Sequence, residues 1–82
     1  MITVRFFAML KGLAKADTHH YELNSAITVD ELKAMLKRDF PGLRDVLDSR
    51  SILISINQEF ASKDAIVKDN DEVGLLPPFS GG

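Results

Sequence analysis

Two adjacent histidines, His19 and His20, and an acidic run, Asp69, Asp71 and Glu72, are the residues of this 82-residue chain whose types suggest proton or metal chemistry. Neighbours on a strand point to opposite faces, so the two imidazoles cannot share a metal ion or a proton, and no third ligand stands at metal-site spacing. A strand edge is their expected setting. The acidic run lacks the full oxygen-ligand loop, with its glycine and distal bidentate glutamate, that calcium requires, and it is expected to be a tight turn. There is no Gly-rich phosphate loop, no HExxH pair and no nucleophile elbow. Cysteine is absent, which excludes thiolate nucleophiles, disulfides and cysteine-based zinc or iron–sulfur sites. No self-contained active site is expected, and the remaining candidate is the end of the chain, "LLPPFSGG", residues 75–82.

Pro77 and Pro78 cannot donate to a sheet ladder and hold φ fixed, so they stop a strand and send the next residues away from the body. Phe79 and Ser80 lead to Gly81 and Gly82. Glycine supplies about 7% of residues in ordinary proteins, so a chance Gly-Gly terminus arises roughly once in two hundred chains. A frayed end explains the glycines alone, but not a proline-stiffened stalk tipped by residues thin enough to enter a narrow channel. At Gly82 the reactive group is the terminal carboxylate, a poor electrophile until a partner enzyme attaches a leaving group with ATP.

Something must hold that stalk. At 82 residues, with 45% hydrophobic and 27% charged side chains and a net charge of −2, the chain is expected to be a single domain, residues 1–82, with residues 77–82 as its extended tail. No basic stripe suggests nucleic acid. No apolar run reaches the roughly 18 residues of a membrane span, and no secretory leader is recognisable, so a cytoplasmic protein is expected.

"ITVRFFAML", residues 2–10, alternates as a strand with Ile2, Val4 and Phe6 inward, and "KGLAKAD" follows as a loop containing Gly12. "THHYELN", residues 18–24, closes an antiparallel hairpin, with Tyr21 and Leu23 sharing a face. Thr28 and Glu31 form a capping box ahead of an apolar stripe of Val29, Leu32, Leu36 and Phe40, which predicts a helix over 29–39 ended by Pro41-Gly42. A short turn is expected at Val46 and Leu47. "SILISIN" is a strand with Ile52, Ile54 and Ile56 inward, "NQEFAS" a turn into a short edge strand, and "EVGLLP", residues 72–77, the last strand, with Val73 and Leu75 inward. This order predicts an α+β protein of the β-grasp, ubiquitin-like class: a mixed four- to five-stranded sheet with one main helix packed on one face. The first and last strands then lie parallel at its centre. Phe7 and Leu76 fall side by side on the open face, with Phe60 in the following turn and Arg5 as a polar rim, an apolar patch suited to a partner. Cover by a loop or by Met9, or self-association, are the competing explanations for Phe7.

"MITVRFFAML", "INQEFA" and "DNDEVGLLPPFSGG", in this order and over nearly the whole length, resemble the small subunits of molybdopterin synthase, the MoaD-like group of the ThiS/MoaD sulfur carriers. The acidic turn, hydrophobic strand, Pro-Pro and Gly-Gly are its most specific part. Leu75-Leu76 stands where many members carry an aromatic pair. The resemblance implies that Gly82 is adenylated by an E1-like enzyme and converted to a thiocarboxylate. The sulfur then passes to the cyclic pyranopterin precursor inside a large subunit, which supplies the catalytic side chains in an expected heterotetramer. It also implies that Phe7, Phe60 and Leu76 belong to the partner interface, that Gly81 accompanies Gly82 as the working end, and that Pro77, Pro78, Phe79 and Ser80 form the tail. No stably bound cofactor or metal is expected, ATP being used by the activating partner. A carrier for thiamine, cysteine or tRNA thiolation, a ubiquitin-like modifier, and a β-grasp binding module with a silent tail are the alternatives.

Overall fold

The structure, a computed structural model, describes residues 1–49 and 52–77. Its strands are β1 (Ile2–Phe6), β2 (Thr18–Tyr21), β3 (Ile27–Thr28), β4 (Leu53–Ile56), β5 (Glu59–Phe60), β6 (Ile66–Val67) and β7 (Glu72–Leu76). Its helices are α1 (Met9–Ala14), α2 (Val29–Asp39) and α3 (Arg44–Asp48), the last entered through a 3₁₀ turn at Pro41–Leu43. Five strands form one sheet in the order β2-β1-β7-β4-β5, and β3 and β6 form a separate two-stranded ribbon. The central pair β1 and β7 is parallel, with Val4 opposite Val73 and Phe6 opposite Leu75. The other pairings are antiparallel.

The sheet's inner face is apolar by alternation: Ile2, Val4, Phe6, Val73, Leu75 and Ile54 are all buried. Val29, Leu32 and Leu36, spaced along one side of α2, meet them and are fully buried. The Phe40 ring closes the end of the helix edge-on against Phe6, with centroids 5.3 Å apart. The start of α2 is the capping box expected: Glu31 N–H donates to Thr28 Oγ1 at 3.1 Å and Thr28 N–H donates to Glu31 Oε1 at 2.9 Å. Asp30 and Glu31 in its first turn and Lys37 and Arg38 in its last complement the helix dipole. Replacing Thr28 with alanine leaves the Glu31 amide without its partner and is expected to lower stability by about 1 kcal/mol, read as a fall in the melting midpoint of roughly 4–8 °C.

Three expectations are corrected. The strand ends at Phe6 rather than continuing to residue 10, and the segment expected as a loop is largely helix α1, with Gly12 inside it. The cause is the i, i+4 pair Leu10 and Ala14, both buried, whose helical spacing is masked because it continues a run that also alternates. Ala8, at φ 53°, ψ −130°, turns the chain between the two elements. Strand β2 stops at Tyr21 instead of residue 24, although Leu23 still packs on the core. The turn at Val46 and Leu47 is part of a short helix, α3, in which Leu47 is buried. The β3–β6 ribbon went unrecognised because two-residue strands carry almost no periodicity.

Candidate functional site

Side chains directly opposite one another across a ladder share a face, so the register assembles the sheet's open side residue by residue. Arg5 lies opposite Gly74, Gly74 opposite Ser55, and Ser55 opposite Phe60, one row running across four strands. Leu76, one pleat on, lies opposite Leu53. Phe7 leaves the end of β1 with its N–H donating to the carbonyl of Leu75 at 3.2 Å, which carries its ring over the same face. Gly74 makes this possible: a methyl group at that position would lie 2.6 Å from Ser55 Oγ, 3.2 Å from the Phe7 ring and 3.5 Å from Leu76 Cδ1. Glycine there lets the ring and the Leu76 side chain close in above the strand.

Phe7, Leu76 and Phe60 thus occupy one face. Phe7 is 39% exposed and Phe60 69% exposed, while Leu76 is half-buried between its neighbours. Among the described residues no loop covers the Phe7 ring. Beside Phe7 on this face is a cavity of about 270 Å³ lined by Arg5, Phe7, Ser55, Gln58, Glu72 and Gly74, with the Arg5–Glu72 ion pair among its walls. Leu53, Ser55 and Gln58 were not singled out from sequence. The signal for the first two was present, since Ile52, Ile54 and Ile56 inward require Leu53 and Ser55 outward.

β7 delivers the chain out of the middle of the sheet, and Pro77, half-buried, follows it directly. Leu76, at the end of a central strand bonded on both sides, is anchored as firmly as any point of the sheet. Of the tail residues singled out from sequence, Pro78, Phe79, Ser80, Gly81 and Gly82 lie outside the described residues.

The titratable groups do not converge. His19, opposite Val4, packs edge-on against Tyr21 and Phe40, with centroids 4.6 and 5.0 Å away. His20, opposite Thr3, lies on the other face, with Nδ1 3.1 Å from Thr3 Oγ1. Tyr21 donates its hydroxyl to Asp39 at 2.6 Å, tying β2 to the end of α2. The Arg38 guanidinium beside Asp39, and then this hydroxyl, hold the Asp39 carboxyl down to about 2. Among the described residues no group of three or more His, Asp or Glu side chains could hold a metal ion, and no helix is long and apolar enough to cross a membrane.

The acidic run forms the turn expected, with Asp69 paired to the amino group of Met1. Within it Asp71 is only 5% exposed, the one buried polar residue among those described. The Lys68 backbone N–H, at 2.9 Å, and secondarily the Asn57 amide, at 3.0 Å, hold its carboxyl below the usual range against the opposing effect of burial. A carboxyl whose folded pKa is depressed contributes stability that is present above its unfolded value and lost as pH falls through the folded one. Denaturant midpoints are therefore expected to fall below about pH 4, and Asp71→Asn to make that acid limb shallower.

An open sheet face carrying an apolar patch, beside a central strand that ends in the tail, is the form of a β-grasp carrier. The profile of the ThiS family matches residues 4–82, and the chain belongs to that family. It is 32% identical to the molybdopterin synthase sulfur carrier subunit of Chlamydomonas reinhardtii, with 99% of this chain and 98% of the relative covered. Among solved structures it resembles SAMP1 of Haloferax volcanii, with a TM-score of 0.84, 26% identity, and 99% and 98% of the two chains covered. It also resembles a chain in the complex of subunits 1 and 2 of the molybdopterin-converting factor of Helicobacter pylori, with a TM-score of 0.67, 28% identity, and 99% and 97% covered.

Proposed function

We propose that this chain is the sulfur carrier subunit of a molybdopterin synthase, acting through the carboxylate of Gly82. The observation that carries the proposal is the placement of Phe7, Leu76 and Leu53 on the open face beside the strand that leads into "PPFSGG". In this reading a docking surface lies on the same sheet as the strand that leads to the transferable end. The full-length likeness to a named sulfur carrier subunit supports the same reading.

In this reading an E1-like partner uses ATP to convert the Gly82 carboxylate to an acyl adenylate, releasing pyrophosphate. A sulfur nucleophile then attacks the carbonyl carbon, forming a C–S bond and breaking the acyl C–O bond as AMP departs, which leaves a thiocarboxylate. The large subunit takes the tail, with Gly81 and Gly82 thin enough to enter its site, and the sulfur passes to the cyclic pyranopterin precursor. Phe7, Phe60 and Leu76 dock on that subunit, Pro77 and Pro78 aim the tail, and Phe79 and Ser80 line its entry. The assembly is a heterotetramer in the cytoplasm. This chain holds no stably bound cofactor, and ATP is used by the activating enzyme.

A second reading, a protein modifier joined through Gly82 to a lysine amine, has the likeness to SAMP1 in its favour. Both readings share activation and part at the acceptor. Incubation with ATP, a sulfide source and an E1-like enzyme is expected to raise the mass by about 16 Da, oxygen replaced by sulfur. Adding the large subunit and the pyranopterin precursor is then expected to yield molybdopterin and return the original mass. A failure of every activating enzyme to change the mass would sink both readings, whereas lysine adducts without molybdopterin would favour the modifier.

A further inference from the structure

The turn that presents Phe60 is held by more than its own strands. In the β4–β7 ladder the last register pair is Ile56 opposite Val73, and beyond it lie the turn residues Asn57 and Gln58 and then the two-residue strand β5. Asn57 and Gln58 both have positive φ, 51° and 71°, the pattern of a type I′ hairpin turn, in which Asn-Gly is the comfortable sequence. Gln58 carries a side chain where glycine is favoured, a strained backbone that persists only when its surroundings over-determine it.

The surroundings here are a hydrogen-bonded clamp built on the buried Asp71. The Asn57 backbone N–H donates to the Glu72 carbonyl at 2.7 Å, its side-chain oxygen accepts from the Glu72 N–H at 3.0 Å, and its side-chain NH₂ donates to Asp71 Oδ1 at 3.0 Å. Asp71 is fixed in turn. Its other oxygen accepts from the Lys68 N–H at 2.9 Å, its own N–H donates to the Lys68 carbonyl at 3.1 Å, and its carbonyl accepts from the Thr3 N–H of β1 at 3.1 Å. The hairpin tip is thus wired through one asparagine and one buried aspartate to the two central strands.

We propose that Asn57 and Asp71 are positioning residues for docking: they hold the β4–β5 hairpin so that Gln58 walls the open-face cavity and Phe60 stands in the row with Ser55, Gly74 and Arg5. This rests on the reading of the open face as the surface that meets the large subunit. A two-residue strand bearing a largely exposed phenylalanine has little packing of its own to fix it. Without the clamp the ring must be ordered at the moment of binding, at a cost in affinity.

The test uses the full chain with Asn57→Gly, which tolerates the left-handed backbone and keeps the N–H to Glu72 but removes both side-chain arms. The Ala61 amide, which donates to Ile54 across the hairpin at 2.8 Å, is expected to exchange at least about tenfold faster, with the Val4 and Val73 amides unchanged. Affinity for the large subunit is expected to fall about tenfold, and to fall no further when Asn57→Gly is added to Phe60→Ala. Unchanged exchange at Ala61, equal acceleration throughout the sheet, or a full additional loss in the Phe60→Ala background would each overturn the proposal. Should Asn57→Gly not fold, Asp71→Asn, which replaces one acceptor by a donor facing a donor, is read in the same way. If the wild-type chain binds no large subunit the functional reading itself fails, and the Ala61 exchange rate alone then decides whether the clamp holds the hairpin.

Discussion

A chain shortened by Gly82 is expected to lose all measurable sulfur transfer while keeping its melting midpoint and its affinity for the large subunit nearly unchanged. The argument is one of reach. A residue of extended chain spans at most about 3.6 Å, so the deletion withdraws the carboxylate by about that distance from wherever the partner's reacting groups are fixed. Reacting atoms must come within roughly 3–3.5 Å of one another, and a misplacement of 1 Å already costs about a hundredfold. The Gly81 carboxylate exposed by the deletion has the same chemistry as the one removed, so any residual activity measures reach alone. The fold is insulated from the change, since among the described residues no buried core side chain lies beyond Leu75. Mass spectrometry after activation checks the chemistry, and thermal unfolding and titration with the large subunit check the rest. A shortened chain that still gains about 16 Da and still yields molybdopterin would show that the new terminal carboxylate reaches the partners' reacting groups and that Gly82 itself is not required. A shortened chain that also stops binding would mean that the glycine itself, rather than the apolar face, carries the docking.

Much of this architecture was legible because its strongest elements speak twice. The helix α2 announces itself through both the Thr28–Glu31 box and the Val29, Leu32, Leu36 stripe, and its observed bounds, Val29–Asp39, are the expected ones. The inner face of β1 and β7 follows from alternation, and the parallel pairing of the two follows from the order of elements. What failed was short or doubly patterned. Leu10 and Ala14 satisfy a helix only if the chain turns at Ala8, and nothing local demands a positive φ from an alanine. Ile27–Thr28 and Ile66–Val67 pair only because the fold brings them together. The open face was half legible: Phe7 and Leu76 could be placed by parity, but the role of Gly74 as the floor under the Phe7 ring depends on a close approach that only coordinates reveal. The Asn57–Asp71 clamp was invisible for a related reason, since 14 residues separate its two members. The acidic run was recognised as a turn, yet its types did not disclose that Asp71 is turned inward while Asp69 is paired at the surface.

Leu76→Lys is expected to lower affinity for the large subunit by about a hundredfold or more and to leave the free domain within about 1 kcal/mol of its original stability. Leu76 lies on the open face opposite Leu53, close to the Phe7 ring above Gly74, and the inner face contributes nothing to its contacts because Val73 and Leu75 hold that side of β7. A lysine stem can follow the same apolar surface and carry its ammonium group to water, so the free protein keeps most of the packing and gains only an exposed charge. In the complex that route is closed if the partner covers the face. The ammonium must then be buried without a counter-ion or the interface must open around it, and either alternative costs several kcal/mol. The Arg5–Glu72 pair gives no relief, since Glu72 is already engaged and lies on β7 four residues away. Calorimetric titration and thermal unfolding of the same variant separate the two effects. Loss of binding with an intact melting midpoint assigns Leu76 to the interface. Unchanged binding would move the docking surface off this face and leave the exposed Phe7 without a partner. A collapse of stability alongside binding would instead mean that Leu76 supports the core through Leu53, a role that its half-buried position on the outer face argues against.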